Sequence, residues 1–314
     1  MLTVFSVILP IFLVILVGYV SAKLKLLSQQ ALSEMGRYVI YIALPAVIIK
    51  TVLSIDIQAM LNVRYLAAYL CSSLVVTALG WLFYIRVMKL NKLDSAVSIT
   101  GMVVPNSSFI GYPVILQLID IPPVNAFAMA LLVENLCIVP LCFILMDYGA
   151  LESQQALNGK LKSLLKRIIK NPLLISIVIG VIGNLLHIKV PAAIDTTLGI
   201  LAPSAVAVAL FVIGGSLAGI ELRHTNRSQL TAVTVGKLFI HPLMTAFMLW
   251  LWLPAAHDLK LALVIITSMP MFSVYSVIGD IYGKQSFCTT AQLAANALSI
   301  LTIPIMVAFA QNVL

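Results

Sequence analysis

Ten apolar runs, each about the length of a bilayer crossing, follow one another along the chain with short polar joints between them. They cover roughly residues 2–22, 34–53, 64–88, 95–118, 123–146, 171–187, 196–220, 230–253, 259–281 and 287–310. A hydrocarbon layer about 30 Å thick takes about 20 residues of helix and offers no water to unpaired backbone groups. A chain patterned this way is expected to fold as an all-α bundle of ten transmembrane helices. Charged residues make up 10% of the sequence, against about 25% in soluble domains. That is too few to cover a surface facing water.

The net charge is +8, a sign that would suit nucleic acid if the charges formed a patch. They cluster instead at the ends of the runs, where they set topology, so a nucleic-acid partner is excluded. Fourteen Lys and Arg fall on the loops after odd-numbered runs with their flanking run ends and three on those after even-numbered ones, which puts the odd loops in the cytoplasm and both termini outside. The first run lacks a basic leader and reads as a retained span. Cys71, Cys137, Cys142 and Cys288 lie in or beside apolar runs without metal-ligand spacing and read as small buried hydrophobes. No hydrolase, metalloprotease or phosphate-loop motif is present, so neither an enzyme nor a built-in ATPase is expected.

The fourth run is interrupted at its middle by Pro105-Asn106-Ser107-Ser108. Proline removes a backbone donor and clashes with the preceding turn, while Asn and Ser favour local backbone bonds over continued helix. Broken helix at that depth is tolerated where protein or a watery cavity surrounds it, and transporters place substrates at such breaks. The chain also repeats. Pro10, Pro45, Pro105 and Pro140 match Pro172, Pro203, Pro270 and Pro304 at offsets of 162, 158, 165 and 164. Five runs per half are an odd number, so the halves face opposite ways, an inverted five-plus-five repeat. The expected organisation is a first repeat over 1–146, a basic cytoplasmic linker over 147–170 and a second repeat over 171–314.

Pairing Pro105 with Pro270 makes the fourth and ninth runs two broken helices that cross. Each break exposes a half-helix N-terminus, and two such ends facing one cavity favour an anion, most simply a carboxylate. Asn106, Ser107 and Ser108 flank one proline, and Ser273, Tyr275 and Ser276 the other; Asn106 has no amide counterpart at Met271. Ionisable residues inside the other runs are costly and face the protein interior. Lys237, with His241 one turn on, is placed to attract an anion or to pair with a carboxylate. Glu134 is a lone mid-run carboxylate, and because burial disfavours its charge it is a candidate proton carrier. Its neighbour Asn135 is placed to reach the fourth-run break. Arg37 and Lys50 read as interfacial anchors, and Gly214, Gly215 and Gly219 as a close-packing face.

The run Pro105-Asn106-Ser107-Ser108-Phe109-Ile110-Gly111-Tyr112-Pro113, with Lys170-Asn171-Pro172-Leu173, Ala202-Pro203-Ser204 through Gly215-Ser216-Leu217, Lys237-Leu238, His241-Pro242 and Met269-Pro270, resembles the auxin efflux carrier family. That family includes prokaryotic malate and malonate permeases and is related to the plant PIN auxin carriers. The resemblance implies a fold like the sodium/bile-acid symporters and sodium/proton antiporters. It implies a scaffold from spans 1, 2, 6 and 7 and a mobile transport domain from spans 3–5 and 8–10, moving as an elevator. It further implies a homodimer through the scaffold, a bacterial inner-membrane location, and Asn106 as the residue that contacts the substrate carboxylate.

The expected function is secondary or facilitative transport of small organic anions, with a proton or sodium as candidate coupling ion and no other cofactor. The competing reading is a cation/proton antiporter on a related fold. Such proteins need paired carboxylates near the crossing, whereas here Glu134 is central and the fourth run has no acid within it.

Overall fold

The computed structural model describes residues 2–54, 62–119, 124–150, 172–218, 226–252, 257–272 and 275–313. Among them every regular element is a helix, and β pairing is limited to one isolated bridge. The first apolar run is α1, Leu2–Lys23. The second is α2, Gln29–Tyr38, a π turn over Val39–Ala43, and α3, Leu44–Ser54. The third is α4, Val63–Leu82, ending in a π turn over Phe83–Val87. The fourth is α5, Lys92–Val103, then a break, a π turn over Ser107–Gly111 and α6, Tyr112–Leu118. The fifth is α7, Val124–Val133, a π turn over Glu134–Ile138 and α8, Val139–Gly149.

In the second half, α9 is Pro172–Leu185 and α10 is Ala192–Leu217. The eighth run is α11, Arg227–Val235, a π turn over Gly236–Ile240 and α12, His241–Trp252. The ninth is α13, His257–Ser268, and α14, Tyr275–Ile281, and the tenth is α15, Gln285–Val313. Six passages among the described residues are long and apolar enough to cross a membrane: Gln29–Lys50, Val63–Val87, Asn125–Gly149, Ala192–Gly215, Arg227–Leu251 and Gln285–Val313. Since α8 runs on to Gly149, it takes in the start of the expected 147–170 linker; from 151 onward that linker lies outside the described residues.

Four of the π turns have a local cause. Pro45, Pro113, Pro140 and Pro242 each stand two residues past the end of one. Each proline ring would clash with a carbonyl one turn earlier, and widening that turn relieves the clash. A proline is not sufficient, because Pro10, Pro203 and Pro304 sit inside helices that stay α. Helix starts follow the polar punctuation of the sequence. The side chains of Ser28, Asn62, Asn91 and Asn226 accept from Ala31, Tyr65, Asp94 and Ser228 backbone N–H groups at 2.8–3.1 Å.

Packing follows the small residues. A side chain on Gly18 would collide with the Phe211 carbonyl, and one on Gly214 with the Ile15 carbonyl, so α1 and α10 touch backbone to backbone. Gly180 and Gly183 seat α9 against Val52 and Leu53 of α3, and the Asn184 amide donates to both carbonyls at 2.9 and 3.2 Å. This binds α1, α2, α3, α9 and α10 together. The remaining helices pack mainly on one another, α5 on α8, α4 on α12, and α13 and α14 on α15. Leu16, Ile200, Trp250 and Leu301 face outward, as apolar side chains do in contact with lipid.

Candidate functional site

The two breaks meet. Pro105 and Met271 form an antiparallel bridge, in which Asn106 N–H donates to the Pro270 carbonyl at 2.8 Å and Phe272 N–H to the Val104 carbonyl at 3.3 Å. Each broken run thus supplies the backbone partners that the other's helix has lost, which is how irregular backbone becomes tolerable among buried residues. Pro105 and Pro270 stand at this crossing as expected, with Met269 and Met271, on either side of Pro270, fully buried.

The fourth run restarts through its own residues. Asn106 Oδ1 accepts from Phe109 N–H at 3.3 Å, and its carbonyl accepts from Gly111 N–H at 2.9 Å. Asn106 is therefore the N-cap of the half-helix Ser107–Leu118. Ser107 Oγ, on its first turn, donates to Glu134 Oε1 at 2.5 Å, and Tyr69 OH donates to the same oxygen at 2.9 Å. Glu134 is buried. A carboxylate here sits at the N-terminal, positive end of a half-helix, where the backbone dipole favours it.

The ninth run is held from outside. Lys237 is fully buried, and its ammonium donates to the Thr267 carbonyl at 3.1 Å. That carbonyl belongs to the last turn of α13, where helix carbonyls lose their partners and a cation is favoured. Lys237 does not snorkel toward the surface. It also meets His241 Nδ1 at 3.2 Å, and His241 Nε2 meets Ser73 Oγ at 3.1 Å. An ammonium has no acceptor, so Nδ1 accepts and Nε2 carries the proton that goes to Ser73. Thr245 continues the chain by donating to Ser72 at 3.1 Å, and Tyr69 stacks on His241 with ring centroids 6.2 Å apart. Glu134 and Lys237 are buried groups of opposite charge in this one cluster.

Three of the π turns carry this cluster: Ser107 on one, Glu134 and Asn135 on the second, Lys237 on the third. A π turn re-aims the side chains it carries, and such turns are frequent at functional sites. The structure thus brings together Pro105, Asn106, Ser107, Glu134, Lys237, His241 and Pro270. Asn135 is half-buried and its amide donates back to the Leu131 carbonyl at 2.9 Å. Ser108 is half-buried beside the cap. Tyr275 stands apart from the carboxylate, its buried hydroxyl donating to the Val97 carbonyl of α5 at 2.9 Å. Ser273 and Gly219 lie outside the described residues. Arg37 pairs with Glu34 at 3.3 Å and Lys50 with Asp195 at 3.6 Å, both exposed. No group of metal-ligating side chains is present among the described residues.

Sequence reasoning missed Tyr69, Ser73 and Thr267. The signal for the first two was present, since Tyr69 and Ser72-Ser73 interrupt the apolar third run. Thr267 acts through its backbone, which no side chain announces.

A family model described as "Membrane transport protein" matches residues 3–307. The chain is 24% identical over 304 residues to a protein of Rhizobium meliloti (strain 1021) named "Putative malonate transporter", covering 95% of this chain and 93% of that protein. It is 26% identical over 284 residues to an uncharacterised transporter of Methanocaldococcus jannaschii, covering 88% and 89%. A stretch of 257 residues is 24% identical to the mouse lysosomal cholesterol signaling protein, of which it covers 29%.

Proposed function

As a member of the membrane transport protein family, the auxin efflux carriers of the motif resemblance, the chain is a membrane transporter and not an enzyme, and we propose that it carries small organic anions. The class is mono- and dicarboxylates such as malonate, malate or auxin-like acids, moved by elevator-type alternating access in a ten-span inverted repeat. The observation that carries this reading is the antiparallel bridge between Pro105 and Met271. It fixes two half-helix ends side by side inside the bundle, and half-helix N-termini receive anionic substrate groups in other carriers. In this reading the carboxylate is received by N–H donors at the fourth-run break, from the Asn106 amide and the half-helix backbone.

The neighbouring charges suggest the coupling. Charged Glu134, bonded to Ser107, repels an arriving carboxylate, and a proton on Glu134 removes that repulsion, so proton–anion symport fits best. Sodium fits less well. Half-helix C-terminal ends coordinate sodium in other carriers, and here the Lys237 ammonium already sits on the Thr267 carbonyl. The same fixed cation argues against the cation/proton antiporter. Packing supports an elevator, because α1, α2, α3, α9 and α10 cohere as one set against the rest. By the charge asymmetry both termini face outward from a bacterial inner membrane, with a homodimer formed through that first set.

Uptake of a panel of labelled carboxylates into proteoliposomes tests the reading. Malonate or malate uptake driven by an inward proton gradient, insensitive to sodium, is expected. Cation-driven proton release without any organic anion would replace it with the antiporter.

A further inference from the structure

A cavity of about 200 Å³ lies between α1, α10 and α15, and it touches the fourth-run break only through Ile110. Its walls include Ile15 and Leu16 of α1, Ile213 of α10, Ile110 of the fourth-run half-helix, and Asn296 and Ile300 of α15. The lining is mostly apolar; Tyr19 and Ser299 are also on it, the Ser299 hydroxyl donating to the Asn296 backbone carbonyl at 2.7 Å, and the Asn296 side chain is buried with no hydrogen-bond partner for its Oδ1. A buried amide oxygen is rarely left unpaired, and an unpaired one on a cavity wall points to a missing polar group. Leu16 and Ile300 on its wall are 53% and 40% exposed, each within an apolar helix, where a membrane protein meets lipid and not water.

These features specify an occupant. A dry apolar cavity of about 150 Å³ takes up benzene, so this one has room for a six-membered ring with a substituent. Arrival through lipid requires a neutral molecule. The amide oxygen and nitrogen exchange places by a half-turn of the side chain, and a hydroxyl both donates and accepts, so it suits either orientation. We propose that this cavity binds a neutral, phenol-sized molecule, an apolar ring bearing one hydroxyl, with that hydroxyl bonded to the Asn296 amide. The site stands whether or not the chain carries carboxylates.

The test uses the full-length protein in lipid nanodiscs, with melting temperature read against phenol and against toluene, which has the ring but no hydroxyl. Binding to the folded state raises the melting temperature in a saturable way. A larger rise with phenol than with toluene, abolished in Asn296→Leu, is expected. Equal responses to the two rings, or a phenol response that Asn296→Leu retains, would overturn the proposal. Ile213→Phe, which adds bulk at a buried wall residue without altering the amide, is the second variant and should remove both responses; a retained response again counts against the site. A diazirine-bearing phenol should label peptides containing Leu16 or Ile300 in the unmodified protein, and labelling confined to other helices would also refute it.

Discussion

The fourth and ninth runs break in the same way and are completed in opposite ways. Both break at a proline, and each lends the other one backbone hydrogen bond across the bridge between Pro105 and Met271. The fourth run is capped by its own next residue, Asn106, and its restarted end meets the carboxylate of Glu134 through Ser107. The ninth has Met269 and Met271 around its proline, which cap nothing, and its interrupted end is held by Lys237 from the eighth run. One break is a local solution and the other a tertiary one. The signs follow the backbone, with an acid at a helix start and a base at a helix end.

Substitutions at the two ends separate these solutions. Lys237→Ala should have the largest effect, because it removes one partner of a buried charged cluster and leaves the Thr267 carbonyl and Glu134 uncompensated, at a cost of about 3–5 kcal/mol. Denaturant or thermal unfolding in detergent measures it; a near-neutral result would mean the ninth run holds its break without help. Ser107→Ala removes one hydrogen bond to a charged acceptor, worth about 1.5–3 kcal/mol. Paired with Glu134→Gln in a double-mutant cycle, it should show strong coupling, and additive losses would separate the carboxylate from the fourth-run end.

Asn106→Ala should cost about 1 kcal/mol of stability as a lost N-cap. It should reduce carboxylate uptake roughly tenfold or more, as for a lost hydrogen bond to an anion. Uptake equal to the unmodified protein would remove Asn106 from the substrate site. The smallest effect is expected from Tyr275→Phe, which loses one bond to the Val97 carbonyl, about 1 kcal/mol. Its uptake should stay near that of the unmodified protein, since the hydroxyl points away from the carboxylate cluster. A transport defect as large as that of Asn106→Ala would make the two sides of the crossing functionally alike.

Much of this architecture was legible in the residues themselves. Proline forbids a continuous hydrogen-bond ladder wherever it stands, so the breaks at Pro105 and Pro270 were open to reading, as was their pairing by matched proline offsets. The widened turns before Pro45, Pro113, Pro140 and Pro242 carry the same signal, although Pro203 and Pro304 show that proline alone does not decide it. Asn106 was legible as a cap because a cap acts on residues next to it in sequence.

Facing was not legible. In a water-soluble helix the polar stripe tells which side is buried, but a helix surrounded by lipid is apolar all round and the stripe vanishes. Nothing in the third run says that Tyr69 turns toward Glu134, 65 positions away, and not toward lipid. Nothing beside Tyr275 says that it points to Val97 and not to the cavity expected at the crossing. Lys237 was conspicuous as a buried cation, yet its partner is a backbone carbonyl 30 residues on, freed by another run's break. The sequence by itself determined that the chain crosses lipid, where its helices are interrupted, and which ionisable groups lie inside, because those are local consequences of apolarity, proline and charge. Tertiary structure decided which interrupted end meets which charge, because that rests on close contacts between glycine-lined helices and on hydrogen bonds that form only once the helices have packed.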